Sequence, residues 1–482
     1  MKKIISLVLA AVMLSGLACV AVGAEETEEK SYRYVALGDS IAAGFGLENE
    51  GGAFQEDPSL FLTEDLIANP IRSAYPALFG EKLAALGEEG GYSVTATNLS
   101  TCGYLAEDVE KTILEDGYKS AMMQGVIRMM GNPPIDPMSK YHEIFNQYIP
   151  DADLVSVQLG GNDLIFSILR SLNQNNKDNP ITQALHTAIY MTLMGTDINT
   201  ALQTGMQTIK ANRDKINYKT VIETAAAFKL VAENMDDSVA QAAQGVGSVI
   251  DAVRTVNGKA DFAVVNMYNP YGNSLVLDGK IQCVRTIVCD IITRSAEYIT
   301  GLDGTADRET VVAGLKQIVK DKLAYPLQYL LAGKTIDKTI KALNSSLKDV
   351  AESKGAIYAD VYNISNECNF DPHPTAPGHE EIAGFLYDAT CETVAGKMGI
   401  ELQDGIRGDA NGDGKVSILD VTCIQKLLAN IGNGGRVLSA IEKKIFDADG
   451  DGTITIQDAT VIQSRLAGYN NLAEYFKIGH KI

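Results

Sequence analysis

Apolar positions fall into five short runs separated by longer, more mixed stretches. The runs are Tyr32–Leu37, Tyr92–Asn98, Leu154–Leu159, Asp261–Met267 and Ala356–Val361. Most are continuously apolar rather than alternating, as strands covered on both faces are. Between them lie segments that read as helices, among them Tyr75–Leu86, Ile222–Val253 and Arg308–Leu331. Strands alternating with helices predict an α/β fold, a parallel sheet between two helix layers. Two stretches, roughly Leu164–Lys259 and Ser274–Lys354, are far longer than a minimal crossover. Insertions of that kind cover or shape a site at the strand ends.

The first 24 residues depart from this pattern. Lys2 and Lys3 precede an apolar run from Ile4 to Leu17, and Val22-Gly23-Ala24 supplies small residues for cleavage. This is the layout of a signal peptide over residues 1–24, so the mature chain is expected to start at Glu25 and to be exported. Cys19 raises a lipid-anchor alternative, but Gly16 stands where a lipobox has Leu. No later segment has the 18 or so consecutive apolar residues of a membrane span. The six cysteines beyond residue 24 (Cys102, Cys283, Cys289, Cys368, Cys391 and Cys423) are too sparse for a disulfide scaffold. Their pairing stays open, and the plain reading is of small buried apolar groups.

Charge narrows the partners. With 41 Lys+Arg against 61 Asp+Glu the formal charge is -20, and such a chain repels polyphosphate, so nucleic acid is not an expected ligand. Trp is absent and aromatics are 7%, which counts against a sugar-stacking carbohydrate module.

Chemistry gathers where the runs end. The first leads into Gly38-Asp39-Ser40, the second ends at Asn98 and is followed by Ser100-Thr101-Cys102-Gly103, and the third leads into Gly160-Gly161-Asn162-Asp163. After the fifth comes Asp371-Pro372-His373-Pro374 and, further on, Gly378-His379. Open α/β sheets place their sites at the carboxyl ends of strands. A serine hydroxyl is a weak nucleophile until an imidazole takes its proton, and the imidazole needs an acid to hold its tautomer. A tetrahedral oxyanion needs fixed N–H donors. Ser40, His373 and Asp371 fit the first three roles, and the N–H groups of Ser40 and Gly103 with the Asn162 amide fit the fourth. Asp39 is expected to fix the serine turn, Asp163 to cap or brace the third strand's exit, and His379 to cap or pack the following helix. His142, His186 and His480 show no partner pattern, and Cys102 has no nearby histidine to activate it.

These blocks, in this order, resemble the SGNH or GDSL-type esterase/lipase family over about residues 31–400. The resemblance implies a flavodoxin-like three-layer α/β/α fold with a five-stranded parallel sheet of order 2-1-3-4-5 and helical insertions. It also implies Ser40 as nucleophile, Gly103 and Asn162 as oxyanion donors, His373 as base, and no catalytic cofactor. One position departs from the family. Its acid sits three residues before the histidine, where this chain has Phe370; the nearest carboxylate is Asp371, two before.

Residues 408–468 hold a separate signal. Asp409, Asn411, Asp413, Lys415, Ser417 and Asp420 recur 38 residues later as Asp447, Asp449, Asp451, Thr453, Thr455 and Asp458. Oxygen-bearing residues at loop positions 1, 3, 5, 9 and 12, with glycine at 6 and a backbone carbonyl at 7, suit Ca2+, one ion per loop. Each loop leads into an apolar helical stripe, through Val421, Ile424, Leu427 and Leu428, then through Val461, Ile462 and Leu466. No helix pattern precedes the first loop, so these are not full EF-hands. The duplicated unit resembles a type I dockerin, a small all-α calcium-binding domain. That implies a cohesin module of a scaffolding protein as partner and a place in a cellulosome or cell-surface complex. The cohesin-facing positions implied are Ile418, Leu419, Gln425 and Lys426, then Ile456, Gln457, Gln463 and Ser464. Residues 469–482 form a short tail of no assigned role.

The combined expectation is a secreted serine esterase acting on acyl, particularly acetyl, groups of plant-wall polysaccharide. Two alternatives remain. A lipase-like esterase for longer acyl chains would use apolar insertion segments such as 188–194 and 325–331 as a lid. An inactive adaptor would merely carry the dockerin.

Overall fold

The computed structural model describes residues 30–47, 62–121, 123–124, 138–174, 178–193, 198–217, 219–220, 223–224, 226–227, 234–269, 291, 313, 333–364, 373–400, 405–429, 438, 440–469 and 478. The signal segment 1–24, Asp371, Cys283, Cys289, Cys368 and the segment 325–331 lie outside the described residues.

Along the chain run β1 (Lys30–Gly38), α1 (Ser40–Ala43), α2 (Glu64–Ala68), α3 (Tyr75–Gly90), β2 (Tyr92–Asn98), α4 (Ala106–Leu114), α5 (Tyr141–Tyr148) and β3 (Leu154–Gln158). There follow α6 (Gly161–Gln174), α7 (Pro180–Leu193), α8 (Ile198–Ala211), α9 (Met235–Val256), β4 (Asp261–Val265), α10 (Gly333–Ser353), β5 (Ile357–Ala359) and α11 (Ala376–Met398). The C-terminal part holds α12 (Ile418–Leu428), α13 (Ala440–Phe446) and α14 (Ile456–Leu466).

All five strands pair in parallel in the order β2-β1-β3-β4-β5, the flavodoxin-like order. The chain leaves β1 toward one edge and β3 toward the other, so the gap above β1 and β3 is a topological switch point. Alternation along β1 builds the layers. Val35 and Leu37 enter the core formed with Val246, Val249 and Val253 of α9. Tyr32, Tyr34 and Ala36 enter the opposite core with Tyr75, Phe79 and Leu83 of α3 and Ile382 and Leu386 of α11. Every residue of β3 is buried, as its central place requires. The close approach of α3 to edge strand β2 depends on Gly80, where a Cβ would stand 2.4 Å from that of Ala96.

The fourth and fifth strands are shorter than the apolar runs suggest. β4 ends at Val265: the Asn266 N–H still donates to the Ala359 carbonyl at 3.1 Å, but the next donor of the neighbouring segment, Val361 N–H, goes to Asn266 Oδ1 at 2.7 Å instead of to a backbone carbonyl. The Asn266 amide donates to the Tyr358 hydroxyl and to Asp360 Oδ1, both at 2.7 Å. Within the long insertion, α7 and α8 pack on one another: Ile181, Ala184, Leu185 and Ala188 are buried, and a Cβ on Gly205 would meet Ala188 Cβ at 3.4 Å.

The C-terminal unit has a core of its own. Val421 and Ile424 of α12 and Val461 and Ile462 of α14 close on Leu438, Phe446, Ala448 and Ile478. Val421 and Ile424 of the first stripe therefore face Val461 and Ile462 of the second, whereas Leu428 and Leu466, at the ends of the stripes, are exposed.

Candidate active site

Ser40 sits at the first residue of α1, one turn of helix set directly on the end of β1. Asp39 is its N-cap: the carboxylate accepts from the Ile41 N–H at 3.0 Å, satisfying a donor that the helix start leaves unpaired. Gly38 has to be glycine, since a Cβ there would lie 2.5 Å from Ala42 Cβ. The turn ends at Gly44 in the left-handed region, φ 82°, where a Cβ would press to 2.8 Å from Ala74 Cβ.

Hydrogen bonds lace the other strand ends to this turn. The Asn98 amide, at the end of β2, donates to the Ala42 carbonyl at 2.7 Å, while its Oδ1 accepts from Ser100 N at 3.1 Å. Thr101 N donates to the Gly38 carbonyl at 3.1 Å. Gly103 follows with φ 71°, left-handed backbone that turns the chain. From the end of β3, the Asn162 Nδ2 donates to the Tyr104 carbonyl at 3.2 Å, and both Asp163 oxygens face Ala106 N, at 3.0 and 3.2 Å. Gly103 and Asn162 thus belong to one hydrogen-bonded rim with Ser40. Asn98 was visible in the sequence only as the end of an apolar run; its bracing role needed the register of β1 against β2.

His373 completes the cluster from the far end of the chain, its Nε2 2.7 Å from Ser40 Oγ. A ring nitrogen at that distance can take the hydroxyl proton. The Phe45 ring lies 4.9 Å from the imidazole, centroid to centroid. Asp371, the expected acid, lies outside the described residues. His379 is fully buried and stacks on Tyr75. Its Nδ1 accepts from the Tyr75 N–H at 3.1 Å, so its proton belongs on Nε2. Burial, with the charge of His373, holds it down to about 3, and the ring stays neutral as a brace between α11 and α3.

Burial also sets the carboxyls around Ser40. The Asp39 carboxyl is pushed up to about 6, opposed by its hydrogen bond to Ile41 N and by His373. That of Asp163 is pushed up to about 7, again by burial, with Asp39 and Asp108 adding like charge. Cys102, beside Gly103, is buried. Among the described residues no disulfide forms.

The duplicated acidic loops form a second cluster, in the C-terminal unit. One oxygen from each of Asp447, Asp449 and Asp451 falls within 4.8 Å of the others. Asp447 Oδ1 is buried with no hydrogen-bond partner, so it is poised to accept a cation. In the first loop, Asp409 accepts from Asp413 N and Gly414 N, and Asn411 Oδ1 from Asp413 N. The twelfth-position aspartates close both loops. Asp420 accepts from Asn411 N and Ser417 N, and Asp458 from Asp449 N and Thr455 N. Ser417 and Thr455 cap α12 and α14 through their hydroxyls. Wrapped hard-oxygen groups of this kind fit Ca2+.

Two family models match the chain. The sequence model of the family described as GDSL-like Lipase/Acylhydrolase matches residues 34–279, and that of the Dockerin type I domain matches residues 407–467. The first match takes in Ser40, Gly103 and Asn162 and ends before His373. No curated protein matches the chain. Among solved structures, it is similar to an extracellular lipase from Streptomyces rimosus, at 13% identity over 74% of this chain and 100% of that one, TM-score 0.35. It is similar too to phospholipase A1 from Streptomyces albidoflavus NA297, at 15% identity over 76% and 99%, TM-score 0.32. A lipase from a goat rumen metagenome aligns at 12% identity over 74% and 97%, TM-score 0.33.

Proposed function

This chain belongs to the GDSL-like lipase/acylhydrolase family, and we propose that it is a secreted serine esterase acting on acyl groups of plant-wall polysaccharide, held on a scaffold by its dockerin. It is a hydrolase of carboxylic ester bonds with a type I dockerin domain.

The observation that carries the mechanism is the 2.7 Å approach of His373 Nε2 to Ser40 Oγ. Ser40 attacks the ester carbonyl as His373 takes its proton. The carbonyl oxygen, now negative, is received by the N–H groups of Ser40 and Gly103 and by the Asn162 amide. His373 then gives the proton to the leaving alkoxide, leaving an acyl-serine. Water, deprotonated by the same imidazole, hydrolyses it. Asp371 is assigned to hold the imidazole tautomer and offset its charge.

In the dockerin, Asp409, Asn411, Asp413, Ser417 and Asp420, with the Lys415 carbonyl, would hold one Ca2+. Asp447, Asp449, Asp451, Thr455 and Asp458, with the Thr453 carbonyl, would hold a second. Bound ions would neutralise carboxylates that otherwise repel one another. Large apolar side chains stand in water at matching places: Ile418 at the start of α12 is 57% exposed and Ile456 of α14 is 59% exposed, with Leu419 beside the first 58% exposed and Gln457 in the corresponding place of the second. Exposed apolar groups repeated on two halves suit docking to a cohesin.

A substrate panel tests the reading: acetylated xylan against p-nitrophenyl esters of rising chain length, with Ser40→Ala as control. Deacetylation of xylan with a preference for short esters is expected. Preference for long chains would move the assignment to a lipase-like esterase, and no turnover of any ester would leave an adaptor.

A further inference from the structure

We infer that Phe45 is a positioning residue for His373, holding the imidazole against Ser40 and stabilising the cation it becomes. The inference rests on the serine–histidine mechanism proposed above.

Phe45 is tied to the nucleophile through the backbone. Its N–H donates to the Ser40 carbonyl at 3.0 Å, across the single turn of α1. Gly44, immediately before it, is left-handed and pressed against Ala74 and Ile71, with its own N–H on the Ile41 carbonyl. Gly46, immediately after, is left-handed as well, φ 82°. The Phe45 backbone is therefore held close to Ser40, and its half-buried side chain packs against the core that holds Val35 and Leu37. The phenyl ring lies on the imidazole with the ring planes 46° apart and the centroids 4.9 Å apart.

Such a contact acts unequally on the two states of the histidine. Neutral imidazole gains ordinary packing. Imidazolium, formed as Ser40 loses its proton, gains in addition the attraction of a cation to the negative face of an aromatic ring. The ring thus favours the transition state over the ground state, which is what raises kcat. Other charges reach the same imidazole. The Asp39 carboxyl and the neutral His379 ring both stand within electrostatic range of it. Asp371 is the assigned acid. Phe45 adds the contribution of an aromatic face in van der Waals range, distinct from that of either carboxyl.

The test uses the full chain with p-nitrophenyl acetate. Phe45→Leu is expected to lower kcat about five- to thirtyfold and to leave KM within about twofold. Without the ring the imidazole is a weaker base, so the acid limb of the kcat/KM profile should move to lower pH, by roughly one unit. Phe45→Tyr should restore both. Pentafluorophenylalanine at position 45 keeps the shape and reverses the ring's charge distribution. It should reproduce the Leu defect, and it serves equally if the Leu variant does not fold. Unchanged kcat and an unmoved acid limb in the fluorinated protein would overturn the inference. So would an effect confined to KM, which would make Phe45 a substrate wall. Ser40→Ala separates the two levels: turnover retained there removes the serine mechanism itself, whereas turnover lost there with Phe45 variants unaffected removes only the role of Phe45.

Discussion

His373 follows Ser40 by 333 residues and lies 2.7 Å from it, Nε2 to Oγ. Sheet topology explains the meeting. Parallel strands all point their carboxyl ends to one rim, so residues after β1 and after β5 share that rim whatever the chain between them does. The contact makes the Ser40 hydroxyl the group whose removal should matter most. Ser40→Ala is expected to lower kcat on p-nitrophenyl acetate by at least about 10³-fold while the thermal melting curve stays in place. Loss of less than tenfold would assign the attack to another group.

Asn162 makes one visible hydrogen bond, to the Tyr104 carbonyl, from a place on the same rim. If its amide also receives the oxyanion, Asn162→Ala should cost about 10²–10³ in kcat, with KM little changed. A loss seen only in KM would make it a substrate-binding group.

Asp371→Asn asks a different question, because the acid stands one residue closer to the histidine than the family pattern has it. A carboxylate that orients His373 and offsets its charge should be worth about 10²–10⁴ in kcat. Activity within a few-fold of the parent would point to a Ser–His dyad held by backbone carbonyls.

Residue types near strand ends marked Ser40, His373 and Asn162 as candidates before any coordinates, because each block pairs a buried run with a polar turn. The sheet order came with the resemblance, and register was needed for the rest. Nothing in the local sequence marks Asn98 as a brace on Ala42, or Phe45 as the neighbour of an imidazole more than three hundred residues on. Such contacts depend on which strand lies beside which. The shortening of β4 was hidden for a related reason: Asn266 sits in an apolar run, and only its side-chain bonds to Tyr358, Asp360 and Val361 N, on and just after β5, show where side-chain bonding replaces the ladder. In the C-terminal loops the ligand spacing was plain. The second task of Asp420 and Asp458, closing each loop through two backbone N–H groups, was not.

The Asp39 carboxyl gives a prediction in pH. Its pKa in the fold is about 6, against an ordinary 3.8, because burial disfavours the charge. Between those values the folded state holds more protons than the unfolded one, so this group's contribution to stability falls as pH rises through that window. Asp39→Asn keeps an acceptor for Ile41 N and carries no charge. It should gain on the order of 1–2 kcal/mol over the parent at pH 8, and the gain should vanish near pH 4. Paired denaturant titrations at both values check this; an equal difference at each pH would mean that the charge is not the cause.

Calcium should act on one end of the chain only. The C-terminal unit has its own core, and its loops carry the carboxylates, whereas the ester-cleaving groups stand on the sheet. Removing calcium with EDTA should lower the melting temperature of the dockerin transition, an ion at about 1,000 times its Kd being worth about 4 kcal/mol. Hydrolysis of p-nitrophenyl acetate should stay within twofold. Asp458→Ala should mimic EDTA even in excess calcium. It removes a proposed ligand and leaves the N–H groups of Asp449 and Thr455 without their acceptor, at a cost of about 1–3 kcal/mol for each. Binding to a cohesin should fall with both treatments. If EDTA removed hydrolysis and docking together, the two units would not be independent, and chemistry and attachment would not be separable.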